Sequence, residues 1–450
     1  MLTDPNKVLN GELTVEELEE ILSLTVFEDR ELKLTLFLIL LLTYTEDSQC
    51  NQIIKGPTTS GKSYNVNECL WFFPKEDILE FAGASPTSFI YRKSAKLIDV
   101  RTGLEWAKPR PQKNDPKQVW DEWYDFCRNS ALFLDYSKKI VVFPDSPDTR
   151  LLAKLRPVLS HDKRESMYSV ADKSKKGIQT KDIIIKGFFS NVFCTASSDL
   201  DEQESSRNFL LSPSDDQNKI RKSLDLIARK NSEAIFQVWY NNEPCRVALK
   251  QRVRDIREAG VKEIFIPADL MEDLKTWFID NSKMLSFTSQ RLFPRLISLA
   301  KASALANWKF RSGTTINTDI IMCNNQDIEN AKSIYKPILE CNELGLTPEE
   351  FELWKILEPH CSLGLTVKDV HNLYFGAKKR QCSDKRLRGI LVNFCRSGLL
   401  REDKDGRTLR YYAISEKPEP EPESKDKLES KPKPETIDPE LFQFQKGDSQ

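Results

Sequence analysis

The chain is poor in the residues that hold metals and disulfides. It has 3 histidines in 450 residues, and its 10 cysteines are scattered with no C-x-x-C pair. These shortages argue against a zinc site and a disulfide framework, and they fit a reducing cytoplasm. An excess of either charge is missing too. With 67 Lys and Arg against 68 Asp and Glu the net charge is −1, so no chain-wide basic field marks a nucleic-acid binder and basic patches must be sought locally. The apolar run Leu34-Thr35-Leu36-Phe37-Leu38-Ile39-Leu40-Leu41-Leu42 falls short of the roughly 20 residues needed to span a bilayer, and reads as a buried helix. The opening Met1-Leu2-Thr3-Asp4-Pro5 lacks the basic and apolar regions of a signal peptide. A cytoplasmic protein with no membrane partner is expected. What is present, 39% hydrophobic and 30% charged residues, describes a soluble globular protein with polar extensions, long enough for two or three domains.

The most informative stretch is Gly56-Pro57-Thr58-Thr59-Ser60-Gly61-Lys62-Ser63. It satisfies the phosphate-binding pattern G-x-x-x-x-G-K-[ST] at every constrained position. Gly56 and Gly61 allow a turn tight enough to aim successive N–H groups at phosphate oxygens. Lys62 would reach the β- and γ-phosphates of ATP, and the Ser63 hydroxyl would ligate Mg²⁺. Asn51-Gln52-Ile53-Ile54-Lys55 reads as a strand entering the loop and 64–72 as a helix leaving it, whose N-terminus adds partial positive charge.

Ahead of the loop, residues 1–50 read as a helical segment, with Thr14-Val15-Glu16-Glu17 as a capping box. It is expected to pack on the edge of the nucleotide domain, near the adenine. Behind the loop, 101–125 read as an insertion with little periodic signal. Lys139-Ile140-Val141-Val142-Phe143-Pro144-Asp145 has the form of a buried parallel strand ending in a carboxylate. Asp145 would hold the Mg²⁺ water shell. Asp135, closing Ala131-Leu132-Phe133-Leu134, is a rival; Asp145 is preferred because a helix over 149–161 follows it directly. Ser146 stands where a general base would be useful, and serine cannot act as one at neutral pH.

A β-hairpin is expected over 166–186 with a basic turn that includes Lys173, Lys175 and Lys176. Asn191-Val192-Phe193-Cys194-Thr195-Ala196 reads as another buried strand. A short acidic helix, Arg207 and the strand Asn208-Phe209-Leu210-Leu211 come next. Residues 215–310 read as mostly helical, and Arg291 or Arg295 would reach back to the phosphates from the helix around 291–304. From Thr347 the character changes. Helices over 348–358, 367–374 and 384–397, then a hairpin over 400–414, make a winged helix-turn-helix. Lys378, Lys379, Arg380, Lys385, Arg386 and Arg388 cluster on its third helix and approach, and Arg401, Arg407 and Arg410 lie on the wing. Such a module binds DNA or packs and dimerises; the basic cluster favours DNA. Residues 416–450, rich in Pro, Glu, Lys and Ser, read as a disordered tail.

This order of elements resembles AAA+ P-loop ATPases, within them the helicases with a pre-sensor-1 hairpin (the superfamily 3 and minichromosome maintenance branch), over roughly residues 34–414. The resemblance implies an α/β fold with a parallel sheet and helical lid: an ATPase core over 51–214, a lid over 215–340, the winged helix over 345–415. It implies Thr195 or Ser197 as sensor 1, Arg207 as an arginine finger facing a neighbouring subunit, and Arg291 as sensor 2. Lys173, Lys175 and Lys176 would touch DNA in the channel of a homo-oligomeric ring, and Lys385, Arg386, Arg388 and Arg407 would bind it through the winged helix. Ser146 and the lack of the usual sensor asparagine depart from the pattern. Two functions remain open: a DNA helicase or translocase of a mobile element's replication, or a nucleotide-dependent DNA-binding initiator or regulator that hydrolyses little ATP.

Overall fold

The computed structural model describes residues 3–83, 89, 95–145, 149–161, 163–172, 179–196, 202–283, 285–311, 313–314, 317–378, 382–405 and 408–414. Ser146, Lys173, Lys175, Lys176, Ser197, Lys379, Arg380, Arg407 and the tail 416–450 lie outside them.

Short segments of three to eight residues make the strands, and those of the central sheet are mostly short apolar runs with polar ends. In chain order the first nine are β1 (Asn51–Lys55), β2 (Ile78–Glu80), β3 (Lys96–Asp99), β4 (Ser130–Asp135), β5 (Ile140–Phe143), β6 (Glu165–Asp172), β7 (Gln179–Lys186), β8 (Ser190–Thr195) and β9 (Asn208–Leu211). Five of them form a parallel sheet in the order β2-β5-β8-β1-β9. A fully parallel sheet must be covered on both faces, and alternate residues divide accordingly. Ile54, Val142, Val192, Cys194 and Leu211 join one apolar core; Ile53, Val141, Phe143, Phe193 and Leu210 join a second.

The first core contains the helix Arg30–Leu41, buried from Leu32 to Leu41. The expected edge position is corrected here. From Leu34 onward this helix is apolar around nearly its whole circumference, so no orientation leaves that part a solvent face, and it lies within the core shared by the sheet face and the helix Ser289–Ala306. Residues of 215–340 continue this core through Leu249, Leu296, Leu299 and Ile334. No helix among the described residues is long and apolar enough to cross a membrane.

A second sheet, β3-β4-β7-β6, contains the expected hairpin: β6 and β7 pair antiparallel from Glu165↔Lys186 to Asp172↔Gln179. It also disposes of Asp135. β4 pairs with β3 and β7, not with the sheet of β1, and the Asp135 carboxylate accepts from the Ser137 N–H at 2.8 Å. The stretch expected to be aperiodic holds the helix Lys117–Arg128. Its period is carried by aromatics at three-residue spacing, and Trp123 and Phe126 pack with Trp106 at ring distances of 5.2 Å each. The C-terminal module consists of the helices Pro348–Leu357, Val367–Lys378 and Asp384–Arg396 and an antiparallel strand pair, Leu400–Asp405 with Thr408–Ala413.

Candidate functional site

Ligands of open parallel sheets bind beyond the carboxyl ends of the strands, and three neighbouring strands here deliver candidate groups to that end. β1 runs into the loop Gly56–Gly61, β8 ends in Thr195, and β5 leads to Asp145. The loop is tied to β8 by the Gly56 N–H, which donates to the Thr195 carbonyl at 3.1 Å. Gly56 sits in a tight space, since a Cβ would meet Ser60 Oγ at 3.0 Å and Pro213 Cδ at 3.3 Å and one of them would have to give by a few tenths of an ångström. Gly61 is required by conformation, with φ at +90° as it caps the helix Lys62–Leu70.

Lys62 folds back over the loop, its Nζ donating to the carbonyls of Gly56 at 2.9 Å and Pro57 at 2.6 Å. Burial lowers its pKa; the nearby Cys194, Asp145 and Glu349 oppose that shift and Arg386 adds to it. The Cys194 thiol is pushed up to about 12 by burial, with Lys62 opposing and Asp145 adding. The strand order β5-β8-β1 puts Asp145 and Lys62 on either side of the end of β8. Inside the loop, Ser60 Oγ is buried with no hydrogen-bond partner. A narrow glycine cradle, an orphaned hydroxyl and a folded-back ammonium fit an oxyanion such as a phosphate. Ser63 and Asp145 are both exposed at this mouth. Among the described residues no group of three or more His, Cys, Asp or Glu could hold a metal ion on its own, so a cation here would need oxygens from its ligand as well.

Beside the loop opens a cavity of about 830 Å³. Pro57 to Gly61 form one wall, Val26, Phe27 and Tyr64 a second, and Ile220, Leu224 and Tyr240 a third. Buried Asp29 ties these walls together. Its carboxylate accepts from Asn65 Nδ2 at 2.8 Å and the Ser214 N–H at 2.5 Å, and pairs with Lys219 Nζ at 2.5 Å. No protein-family model and no curated protein matches the chain. The site is therefore characterised by its own geometry, a glycine-bounded loop opening on a largely apolar chamber.

Arg207 and Arg291 are not brought to this loop within one chain. Arg207 ends the helix Glu202–Arg207 and precedes Asn208, which is in register with Asn51 at the start of β1. It therefore sits at the opposite end of the sheet, about 15 Å from the loop at ~3.3 Å per strand residue. It is half-buried and has no side-chain partner among the described residues. Arg291 donates to Ser206 Oγ at that same end. Arg295 is buried there, donating to Asn342 Oδ1 at 2.9 Å and the Ser206 carbonyl at 2.6 Å. The expectation that the helix Ser289–Ala306 reaches back to the phosphates of its own chain is thus not met, because these bonds hold its start at the far edge.

The C-terminal module contributes what sequence reasoning missed. Arg386 and Glu349 line the cavity together with the loop, and Arg386 Nη2 donates to Glu349 Oε1 at 2.7 Å. The expected role of Arg386 as a surface DNA contact does not fit this placement. Lys378 is engaged as well, with Glu352 at 2.5 Å and Asp215 at 3.3 Å. Lys385 and Arg388 are exposed and have no ion-pair partner among the described residues. No local pattern signals the inward turn of Arg386, since its neighbours at 385 and 388 are equally basic and point out.

Proposed function

We propose that this chain is an ATP-binding, oligomeric ATPase of the DNA helicase or translocase type, serving replication of a mobile element in the cytoplasm. The observation that carries it is the meeting of Lys62, Asp145 and Thr195 at the carboxyl ends of adjacent parallel strands, beside an oxyanion loop and an apolar chamber suited to a base. Bound ATP with Mg²⁺ would supply the transferable γ-phosphoryl group. The chain's own part is positioning and electrostatics. Gly56, Pro57, Thr58, Thr59, Ser60 and Gly61 offer backbone N–H groups, Lys62 exchanges two carbonyls for phosphate oxygens, and Ser63 and Asp145 hold the cation. Thr195 orients the attacked end.

Arg207 and Arg291 share an edge that cannot serve their own loop, which supports a site completed between subunits, as a ring would provide. The exposed Lys385 and Arg388 support a DNA partner. Ser146 after Asp145 favours a second reading, a nucleotide-dependent DNA-binding initiator or regulator with little hydrolysis. Measuring ATP binding, and phosphate release with and without single-stranded DNA, separates the two. Wild-type protein should bind ATP and Lys62→Ala should not. Equal ATP affinity in the two proteins would remove the nucleotide assignment. Turnover stimulated by single-stranded DNA supports the helicase, and binding without turnover supports the regulator.

A further inference from the structure

The C-terminal module is fastened to the exit of β1. Lys55, the last residue before the loop, pairs with Glu350 at 2.5 Å, and both side chains are buried. Asn393 Nδ2, on the module's third helix, donates to the same carboxylate at 3.4 Å. The first helix is held again where the Glu349 N–H donates to Ser212 Oγ at 3.0 Å, just beyond β9. These bonds bring the start of the helix Asp384–Arg396 to the mouth of the loop. Arg386 is there with only 21% of its side chain exposed, and Glu349 with 12%.

Two cations, Lys62 and Arg386, are therefore held near one loop. Like charges at such a site disfavour each other unless an anion lies between them. In this structure the loop carbonyls take Lys62 and Glu349 takes Arg386. A guanidinium half-screened from solvent and facing an oxyanion cradle is suited to a phosphate group, which it grips with two parallel N–H bonds.

We propose that Arg386 is a nucleotide-binding residue supplied in cis by the C-terminal module, exchanging Glu349 for the terminal phosphate when a nucleoside triphosphate binds. This rests on the nucleotide reading above. Its anchors leave the backbone in place, so the exchange is a side-chain movement. Its consequence reaches the DNA side, because the same helical turn carries the exposed Lys385 and Arg388 and loses an internal ion pair when ATP is present.

The test uses full-length protein and calorimetric titration with Mg²⁺-ATP and Mg²⁺-ADP. Arg386→Ala should weaken ATP roughly tenfold or more while leaving ADP within about threefold, and Arg386→Lys should recover part of the difference. Glu349→Gln, which keeps Arg386 and removes its competitor, should tighten ATP several-fold. Folding is checked by circular dichroism, and if Arg386→Ala does not fold, Glu349→Gln decides alone: unchanged ATP affinity overturns the proposal. Equal losses for ATP and ADP in Arg386→Ala also overturn it, since they leave no contact peculiar to the terminal phosphate. A wild-type protein that binds neither nucleotide defeats the nucleotide reading itself, whereas wild-type binding unaltered in Arg386→Ala defeats only this assignment.

Discussion

Replacing Glu350 with alanine tests whether the C-terminal module is welded to the sheet or merely rests on it. Glu350 Oε1 lies 2.5 Å from Lys55 Nζ, and its Oε2 accepts from the Thr347 N–H and hydroxyl, each at 3.1 Å. With 3% of Glu350 and 5% of Lys55 exposed, water cannot replace either partner cheaply. Removing one member of a buried pair costs about 3–5 kcal/mol, and losing the closure of the Thr347 cap adds about 1 kcal/mol. A domain's stability is only about 5–15 kcal/mol, so the module should separate first. Urea denaturation should show an early transition, accompanied by cleavage near residue 345 in limited proteolysis. Lys55→Met combined with Glu350→Leu should recover most of the loss, since replacing both partners by apolar groups removes the desolvation penalty along with the attraction. A loss below about 1 kcal/mol in Glu350→Ala would refute the reasoning, because that is the worth of a solvent-exposed pair.

Further expectations concern subunits, DNA and acid. Arg207→Ala should keep ATP binding and lose turnover, and mixing it with Lys62→Ala should restore part of the rate, because mixed interfaces pair an intact loop with an intact Arg207; absence of rescue in a phosphate-release assay counts against a shared site. Lys385→Glu with Arg388→Glu should weaken duplex DNA binding and lower the slope of log K against log salt by about 2, and an unchanged slope would make the module a packing device. Asp369 accepts from the Thr366 hydroxyl at 2.7 Å and N–H at 2.9 Å, which hold its carboxyl below its ordinary value of 3.8. A depressed folded-state pKa gives stability that is complete above the unfolded value and lost as pH falls through the folded one. Thr366→Val should therefore flatten the decline of Tm with pH below about 4, and identical acid profiles would contradict that.

What was legible in the sequence was whatever a short window decides. β1, β5, β8 and β9 are apolar runs with polar ends, and Thr14 and Thr347 cap helices through the Glu three residues on, as both patterns require. Asp145 and Asp135 end equally good runs. The helix that follows Asp145 favours it in the sequence, but which run joins the sheet of β1 is decided by partners some fifty residues downstream at β7 and β8. The helix Arg30–Leu41 was legible as buried, but not as lying on the sheet face, since its neighbours Leu292 to Ala306 come about 250 residues later. Arg386 was misread for the same reason. Its environment is made by the loop at 56–61, which no pattern around 386 can report. Arg291 reads as suited to the phosphates, yet the bonds of Arg295 to Asn342 and to the Ser205 and Ser206 carbonyls hold their shared helix at the other edge.

The placement of the helix Arg30–Leu41 sets a schedule for synthesis. It leaves the ribosome long before its cover, because the strands and the helix Ser289–Ala306 that pack on it are encoded up to residue 306. At ~5–20 residues per second the interval is roughly 15–50 s, during which nine consecutive residues, eight of them apolar, have no partner. β1 waits too, because β8 and β9 begin at residues 190 and 208. A nascent chain of this design should engage holdase chaperones around residue 42, and it should release them only after residue 306 has been made. Ribosome-bound chains stalled near residue 200 and near residue 370, where Ser289–Ala306 has left the exit tunnel, should thus differ sharply in their sensitivity to protease.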